Sequence, residues 1–190
     1  MKKISFAMNS CIALLMLLTI TSCQKGSDTP VAAQITVVNP GFEDSLKSWK
    51  VETAYVGIYG FKASIDAVRT GKLGLNFYAA QTWHYAGAPQ ETPWNGKIYQ
   101  TITGLADGIY TLKVHVDGLG TGMYLWANGG GGDVKVAIKG KTNELNTLDF
   151  TVSGGTAKFG FTCIDANGTD TTPFAPYFHA DDVELWTKPV

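Results

Sequence analysis

The chain has 190 residues, 45 % hydrophobic and 12 % aromatic, with 22 glycines, three cysteines, and 15 basic against 16 acidic residues. A single arginine, Arg69, and a near-neutral charge exclude the basic stripe that a nucleic-acid partner requires. Many glycines beside many large rings point to tight turns between short strands, and so to an all-β fold.

Lys2 and Lys3 precede an apolar run, Ile12 to Ile20, which is too short for an ordinary transmembrane helix and ends at Thr21-Ser22-Cys23. The arrangement resembles a bacterial lipobox, in which Cys23 is acylated and becomes the new N-terminus. Contact with the membrane would then be through the lipid anchor only, and two or three acyl chains hold far better than one. An ordinary secretory cut nearby is the alternative. Residues 1–22 are thus expected to be a signal peptide, 23–34 the lipidated cysteine and a flexible tether, and 35–190 one domain large enough to bury a core. Gln24 stands where an inner-membrane retention signal would place Asp. A Cys-Gln-Lys start followed by Asp28 resembles the surface-exported lipoproteins of the Bacteroidetes, so an outer-membrane location with cell-surface exposure is expected. With Cys11 removed and Cys23 lipidated, Cys163 stands alone. That excludes an intrachain disulfide and a cysteine zinc site, and predicts a small buried hydrophobe.

From Ile35 onward no segment has helical periodicity, whereas several alternate with period two. Leu73, Leu75 and Phe77 oppose Asn76 and Tyr78. A strand over Lys97–Thr103 leads to the turn Leu105-Ala106-Asp107-Gly108, whose Asp-Gly pair suits a tight hairpin. Tyr110, Leu112, Val114 and Val116 oppose Lys113 and His115. Met123, Leu125 and Ala127 oppose Tyr124, Trp126 and Asn128. Leu148, Phe150 and Val152 share a face, as do Phe159, Phe161 and Cys163, and then Val183 and Leu185. About ten short strands with one apolar face each predict a two-sheet antiparallel β-sandwich. A jelly roll fits, although spacing alone leaves another Greek key open. Residues 79–96 break the alternation and predict a long loop with large aromatics, the kind of loop that carries function on a rigid sandwich.

The domain opens Asn39-Pro40-Gly41-Phe42-Glu43 with Trp49 close behind, and ends Asp181-Asp182-Val183-Glu184-Leu185. These ends resemble the jelly-roll carbohydrate-binding modules of families 4, 9 and 22 and their galactose-binding-domain-like relatives. Thr70–Leu75, Tyr99-Gln100-Thr101-Ile102 and Asp107-Gly108-Ile109-Tyr110-Thr111-Leu112 agree with that pattern. Met123–Ala127, the Gly129–Gly132 run and Phe159-Gly160-Phe161 are similar to family 61-like modules of arabinogalactan endo-β-1,4-galactanases. The resemblance covers about residues 35–187 and implies non-catalytic binding of a polysaccharide such as β-1,4-galactan or arabinogalactan. Its usual enzyme partner is missing from the chain, so glycoside hydrolases or transport proteins of the same polysaccharide-utilization system are the implied companions.

The same resemblance implies a structural Ca²⁺ joining the first and last strands, with Glu43 and Asp181 as carboxylate ligands and carbonyls near residues 69–72 completing the shell. Alternation puts Asp181 on the inward face of Val183 and Leu185, where a hard cation would compensate its charge. Asp182 takes that place if the register is off by one. The plainer alternative is that Glu43 caps a turn and Asp181 accepts backbone bonds.

Sugar binding needs flat rings for the apolar face of a pyranose and planar polar groups for its hydroxyls. Trp126 and Tyr124 lie on the polar side of their strand with Asn128 beyond, and His115 lies on the run before it. Trp83, Tyr85 and Trp94 belong to the long loop. Asp165 and Asn167 resemble the polar stretch of the galactan-type modules, or else serve the turn alone. Trp49 and Trp186 are expected to be structural. Catalysis has little support. The histidines carry no accompanying nucleophile motif, and Asp181 and Asp182 alternate faces and cannot flank a glycosidic bond. The alternatives to a binding module are a jelly-roll lyase or glycosidase, and a protein-interaction module of an outer-membrane assembly.

Overall fold

Period-two alternation in the sequence becomes alternation of faces in space. The computed structural model describes residues 30–53, 60–79, 94–139, 142–167 and 176–189. The strands are β1 (Gln34–Ile35), β2 (Lys50–Thr53), β3 (Gly60–Ser64), β4 (Gly74–Tyr78), β5 (Trp94–Thr103), β6 (Gly108–Leu119), β7 (Thr121–Asn128), β8 (Asp133–Ala137), β9 (Glu144–Val152), β10 (Thr156–Asn167) and β11 (Tyr177–Thr187). One 3-10 turn, Ile65–Ala67, interrupts them.

One sheet runs β3-β4-β11-β6-β9, with β1 added beside β11, and the other runs β2-β5-β10-β7-β8. The nested antiparallel pairs β4 with β11, β5 with β10, β6 with β9 and β7 with β8 make a jelly roll. That topology settles the choice that spacing left open. Consecutive long strands therefore alternate between sheets. The turn at Asp107-Gly108 is not a hairpin as expected, because β5 and β6 belong to different sheets. The turn carries the chain across the sandwich instead. Asp107 Oδ1 accepts the Gly154 N–H at 2.8 Å, and the Tyr110 hydroxyl donates to the Ala106 carbonyl at 2.9 Å.

The core sits between the sheets. Leu75, Phe77, Leu112, Val114, Phe178 and Leu185 from one sheet meet Ile98, Leu125, Phe159 and Phe161 from the other, all fully buried. Cys163 joins them as expected, and burial pushes its thiol well above the usual range, so it is inert. Phe61, Phe77, Phe161 and Phe178 form a chain of ring contacts of 5.1 to 6.2 Å through one end of this core.

The opening motif works as a plug. Asn39 donates to the carbonyls of Ser45 and Lys47 and accepts from Asp44, which holds the 39–49 loop closed. Phe42 is wholly buried and stacks on Trp49 at 4.8 Å, and the Trp49 indole donates to the Asn39 carbonyl at 3.0 Å. Trp49 is structural, as its position suggested. Gln100, buried on β5, exchanges both amide groups with the backbone of Val38 and fastens the same segment to the second sheet.

Phe42→Ala is expected to destabilise the domain by about 3–5 kcal/mol, since it empties a filled site that neighbouring backbone cannot collapse into. Urea unfolding measures this, with Phe42→Leu losing distinctly less.

Candidate functional site

β5, β10 and β7 stand side by side, and burial of Ile98, Phe159, Phe161 and Leu125 forces their alternate residues outward. Strand register arranges these outward residues in rows. Lys50, Tyr99, Gly160, Trp126 and Lys135 form one row across all five strands. Glu52, Lys97, Thr162, Tyr124 and Ala137 form the next. Thr101, Lys158, Asn128 and Asp133 form a third.

The middle of the first row is a trough. Tyr99 and Trp126 meet edge to face at 5.8 Å with Gly160 between their strands. Gly160 has φ +154°, and a Cβ there would lie 2.2 Å from the Ile98 carbonyl oxygen, so only glycine fits, and the two rings meet across it. A cleft of about 340 Å³ opens over this trough, lined by Glu52, Lys97, Tyr99, Trp126, Asn128 and Lys158 among others. A second cleft of about 390 Å³ continues from Glu52 and Lys97 past Gly96 to Thr162 and Ile164. The size suits a small ligand or a segment of a longer one.

Both rings are covered by ammonium groups. Lys97 Nζ lies 4.3 Å from the Trp126 ring, and Lys50 and Lys158 lie 5.6 and 5.7 Å from Tyr99. Lys135 sits 4.8 Å from Tyr124. Trp126 and Tyr99 are each only 4 % exposed for this reason, although neither belongs to the interior cluster. Such a cation over a ring contributes about 0.5–2 kcal/mol, which a ligand that displaces it must exceed.

Two carboxylates frame the trough. Glu52 pairs with Lys50 at 2.6 Å and accepts the Tyr99 hydroxyl at 2.7 Å; Lys50 first and Tyr99 second hold its carboxyl below the usual range. Glu52 first and Tyr99 second push Lys50 up to about 12. Asp133 accepts from Asn128 at 2.8 Å and from Lys97 at 3.2 Å. Burial pushes its carboxyl upward, but the Asn128 amide, the Trp126 indole and Lys97 outweigh that and hold it below its usual value. The Trp126 N–H makes no hydrogen bond of ordinary geometry and is left as a buried donor beside the cleft.

Expected site residues divide sharply. Trp126, Tyr124 and Asn128 share this outer face. Asn128 is held by its bond to Asp133 and by accepting the Gly130 N–H at 3.0 Å. Trp94 is a correction. It begins β5 instead of lying in the loop, is 2 % exposed, and packs edge-on against Phe77 and Phe61 at 4.8 and 5.2 Å. Strand alternation resumes three residues earlier than the turn residues around it suggested, and that turns the indole inward. His115 is a second correction. β6 lies in the other sheet, so its imidazole faces the opposite side of the sandwich, 3.3 Å from the Asn143 carbonyl. Asp165 lies at the bulge of β10, where it exchanges two bonds with the Asn95 amide at 3.0 Å, which is turn chemistry. Asn167 closes β10 opposite Thr121. Trp83, Tyr85 and Cys23 lie outside the described residues. Trp186 faces outward on the other sheet under Lys113, with its indole donating to Glu184 at 2.7 Å.

The sequence reading missed Glu52, Lys97, Tyr99, Lys158 and Asp133. The signal was present for three of them. Alternation against Ile98 and Phe159 places Lys97, Tyr99 and Lys158 outward, on the side of Trp126.

At the far end, Glu43, Asp181 and Asp182 gather around residues 69–73. Asp181 is 1 % exposed, and a bulge between Asp181 and Glu184 carries it inward, with Asp182 at φ +54°. Its Oδ2 accepts the N–H groups of Arg69 and Thr70 at 2.8 and 2.9 Å, and its Oδ1 accepts the Asp182 N–H at 2.8 Å. Glu43 accepts the N–H groups of Lys72 and Leu73. Asp182 takes the Arg69 guanidinium and the Thr70 hydroxyl. Burial raises the Asp181 carboxyl above its usual value; backbone bonds lower it less, and Asp182 adds repulsion. Neither Asp181 nor Glu43 meets a cationic side chain among the described residues. Asp181 Oδ1 and Glu43 Oε1 lie 3.3 and 4.0 Å from one point, the place a Cβ on Gly41 would take. Two carboxylates without a cationic side chain around one small gap suit a hard cation, although among the described residues no three Asp, Glu, His or Cys side chains converge as a ligand set.

With the geometry in place, solved structures can be compared. A family 61 carbohydrate-binding module in complex with β-1,4-galactotriose gives a TM-score of 0.57 at 18 % identity, over 80 % of this chain and 97 % of that one. The enzymatically active domain of tailspike protein 4 of bacteriophage CBA120 gives 0.53 at 13 % identity, over 78 % of this chain and 21 % of the other. The fold is the jelly roll of carbohydrate-binding modules. No family model matches the sequence, and no curated protein does.

Tyr99→Phe is expected to leave the fold intact and to return the Glu52 carboxyl toward its ordinary value, because one of its two anchoring donors is gone. An NMR titration of the Glu52 carboxyl in both proteins reads this directly.

Proposed function

We propose that the protein is a non-catalytic, envelope-tethered lipoprotein that holds a polysaccharide across the outer face of its five-stranded sheet. The observation that carries this reading is the Tyr99–Gly160–Trp126 trough, two rings in edge-to-face contact at one level of a rigid sheet, under a cleft of about 340 Å³ whose other lining is polar. Sugar rings displace Lys97 from Trp126, while Asn128, Glu52 and Thr162 serve the hydroxyls. The continuation of the cleft along β5 and β10 favours a chain over a single sugar. A β-1,4-galactan or arabinogalactan backbone is the first candidate, on the strength of the resemblance in the central strands. The Thr21-Ser22-Cys23 signal supports a lipid anchor at the outer membrane, where the domain would work beside hydrolases or transporters of the same polysaccharide system.

Isothermal titration against galactan, arabinogalactan, xylan and β-glucan tests the reading. Binding to at least one is expected, with Trp126→Ala losing it about tenfold or more and Trp126→Phe retaining part. An absence of heat with every glycan tested would remove the proposal.

A structural Ca²⁺ is proposed at the Glu43–Asp181 junction. Its role there would be to offset the charge of two carboxylates that tie the first loop to the last strand. Because the Asp181 carboxyl is raised, the metal-free fold loses stability as pH climbs from about 4 through that raised value, where the folded state must give up its extra proton. Calcium should therefore raise the melting temperature at neutral pH and do so much less near pH 4, and Glu43→Gln should abolish the difference. Equal melting in calcium and in chelator at neutral pH would show the N–H donors alone suffice.

A further inference from the structure

Charge is unevenly available on the sheet face that carries the trough. Among the described residues its outward positions hold four lysines, Lys50, Lys97, Lys135 and Lys158, against two carboxylates, Glu52 and Asp133. The rest of the domain is acidic, so the face opposes the sign of the molecule around it.

Both carboxylates are occupied. Glu52 is bound by Lys50 and the Tyr99 hydroxyl, and Asp133 by Asn128 and Lys97. Among the described residues Lys158 and Lys135 form no direct ion pair; they lie over the rings of Tyr99 and Tyr124, and Lys158 feels Glu52 only at longer range. Lys158 stands on the central strand β10, exposed, between Thr101 and Asn128, and it lines the cleft. Its ammonium and that of Lys97 are the donors that a ligand seated over Tyr99 and Trp126 would meet first. A neutral glycan would leave the Lys158 ammonium without a direct anionic contact, whereas a carboxylate or sulfate on the sugar would supply one through a charge-assisted hydrogen bond.

We infer that the ligand of this face is an anionic polysaccharide, whose sugar rings lie in the Tyr99–Gly160–Trp126 trough and whose carboxylate or sulfate groups bind Lys158 and Lys97. The inference rests on the proposal that this face binds a glycan and adds the class of glycan. Lys135, at the β8 edge of the same row as Trp126, would take the next charge along the chain.

Affinity electrophoresis and titration calorimetry on the full mature domain test it with four probes: polygalacturonate, alginate, a sulfated galactan and neutral β-1,4-galactan. Each is run at low and at moderately high sodium chloride. Tighter binding of at least one anionic probe than of neutral galactan is expected at low salt, falling about tenfold as salt screens the lysines. Lys158→Gln should weaken the anionic ligand about tenfold and remove most of its salt dependence, with a distinctly smaller loss for any neutral ligand and with thermal unfolding confirming that the fold is kept. The uronates and the sulfated galactan distinguish carboxylate from sulfate as the recognised group. Neutral galactan binding as well as every anionic probe, or Lys158→Gln leaving anionic binding unaltered, would overturn the inference while leaving glycan binding itself in place. If no anionic probe binds, the inference fails alone; if neutral galactan, arabinogalactan, xylan and β-glucan give no heat either, the proposed function fails with it.

Discussion

Every side chain of the binding face is placed by the burial of the residue next to it in sequence. Ile98 inside means Tyr99 outside; Leu125 inside means Trp126 outside; Phe159 and Phe161 inside leave Gly160 as the floor between them. The interior is bought by the hydrophobic effect, and the exterior geometry follows from a period that cannot slip without reversing both faces at once. Register then does the finer work. It sets Tyr99 and Trp126 at the same level on strands two apart, so the trough is as rigid as the sheet that holds it.

The junction of Glu43, Asp181 and residues 69–73 is the second point of control. Alternation along β11 reverses at its bulge, since Phe178 and Ala180 face in before it and Val183 and Leu185 after it. The reversal carries Asp181 into the protein, where it gathers three backbone N–H groups. Glu43 reaches the same turn from the other end of the domain. The two ends of the sequence are thus joined through one turn, and Phe42 and Trp49 seal the joint.

The sandwich and its inner face were legible in the sequence because period two is a local signal, repeated from Leu75 to Leu185. What was not legible was which strand lies beside which. His115 and Trp126 sit on successive strands and read as neighbours, yet a jelly roll sends successive strands to opposite sheets and separates the two. Trp94 misled for another reason. Glycine and proline around it resemble a loop, while the ring itself answers to a hydrophobic demand from Phe61 and Phe77 that no local pattern announces. The lysines were overlooked because a lysine in an alternating strand reads as ordinary solvation. Only the folded sheet reveals that three of them converge on one pair of rings.

That convergence bears on how the domain behaves in water. A bare indole and phenol on a flat sheet would make the domain adhesive toward any greasy surface it met, its own copies included. Here the ammonium groups act as shutters that wet the face and keep both rings out of reach of casual contact. Their stems are flexible, so the cover is one of side chains and not of backbone.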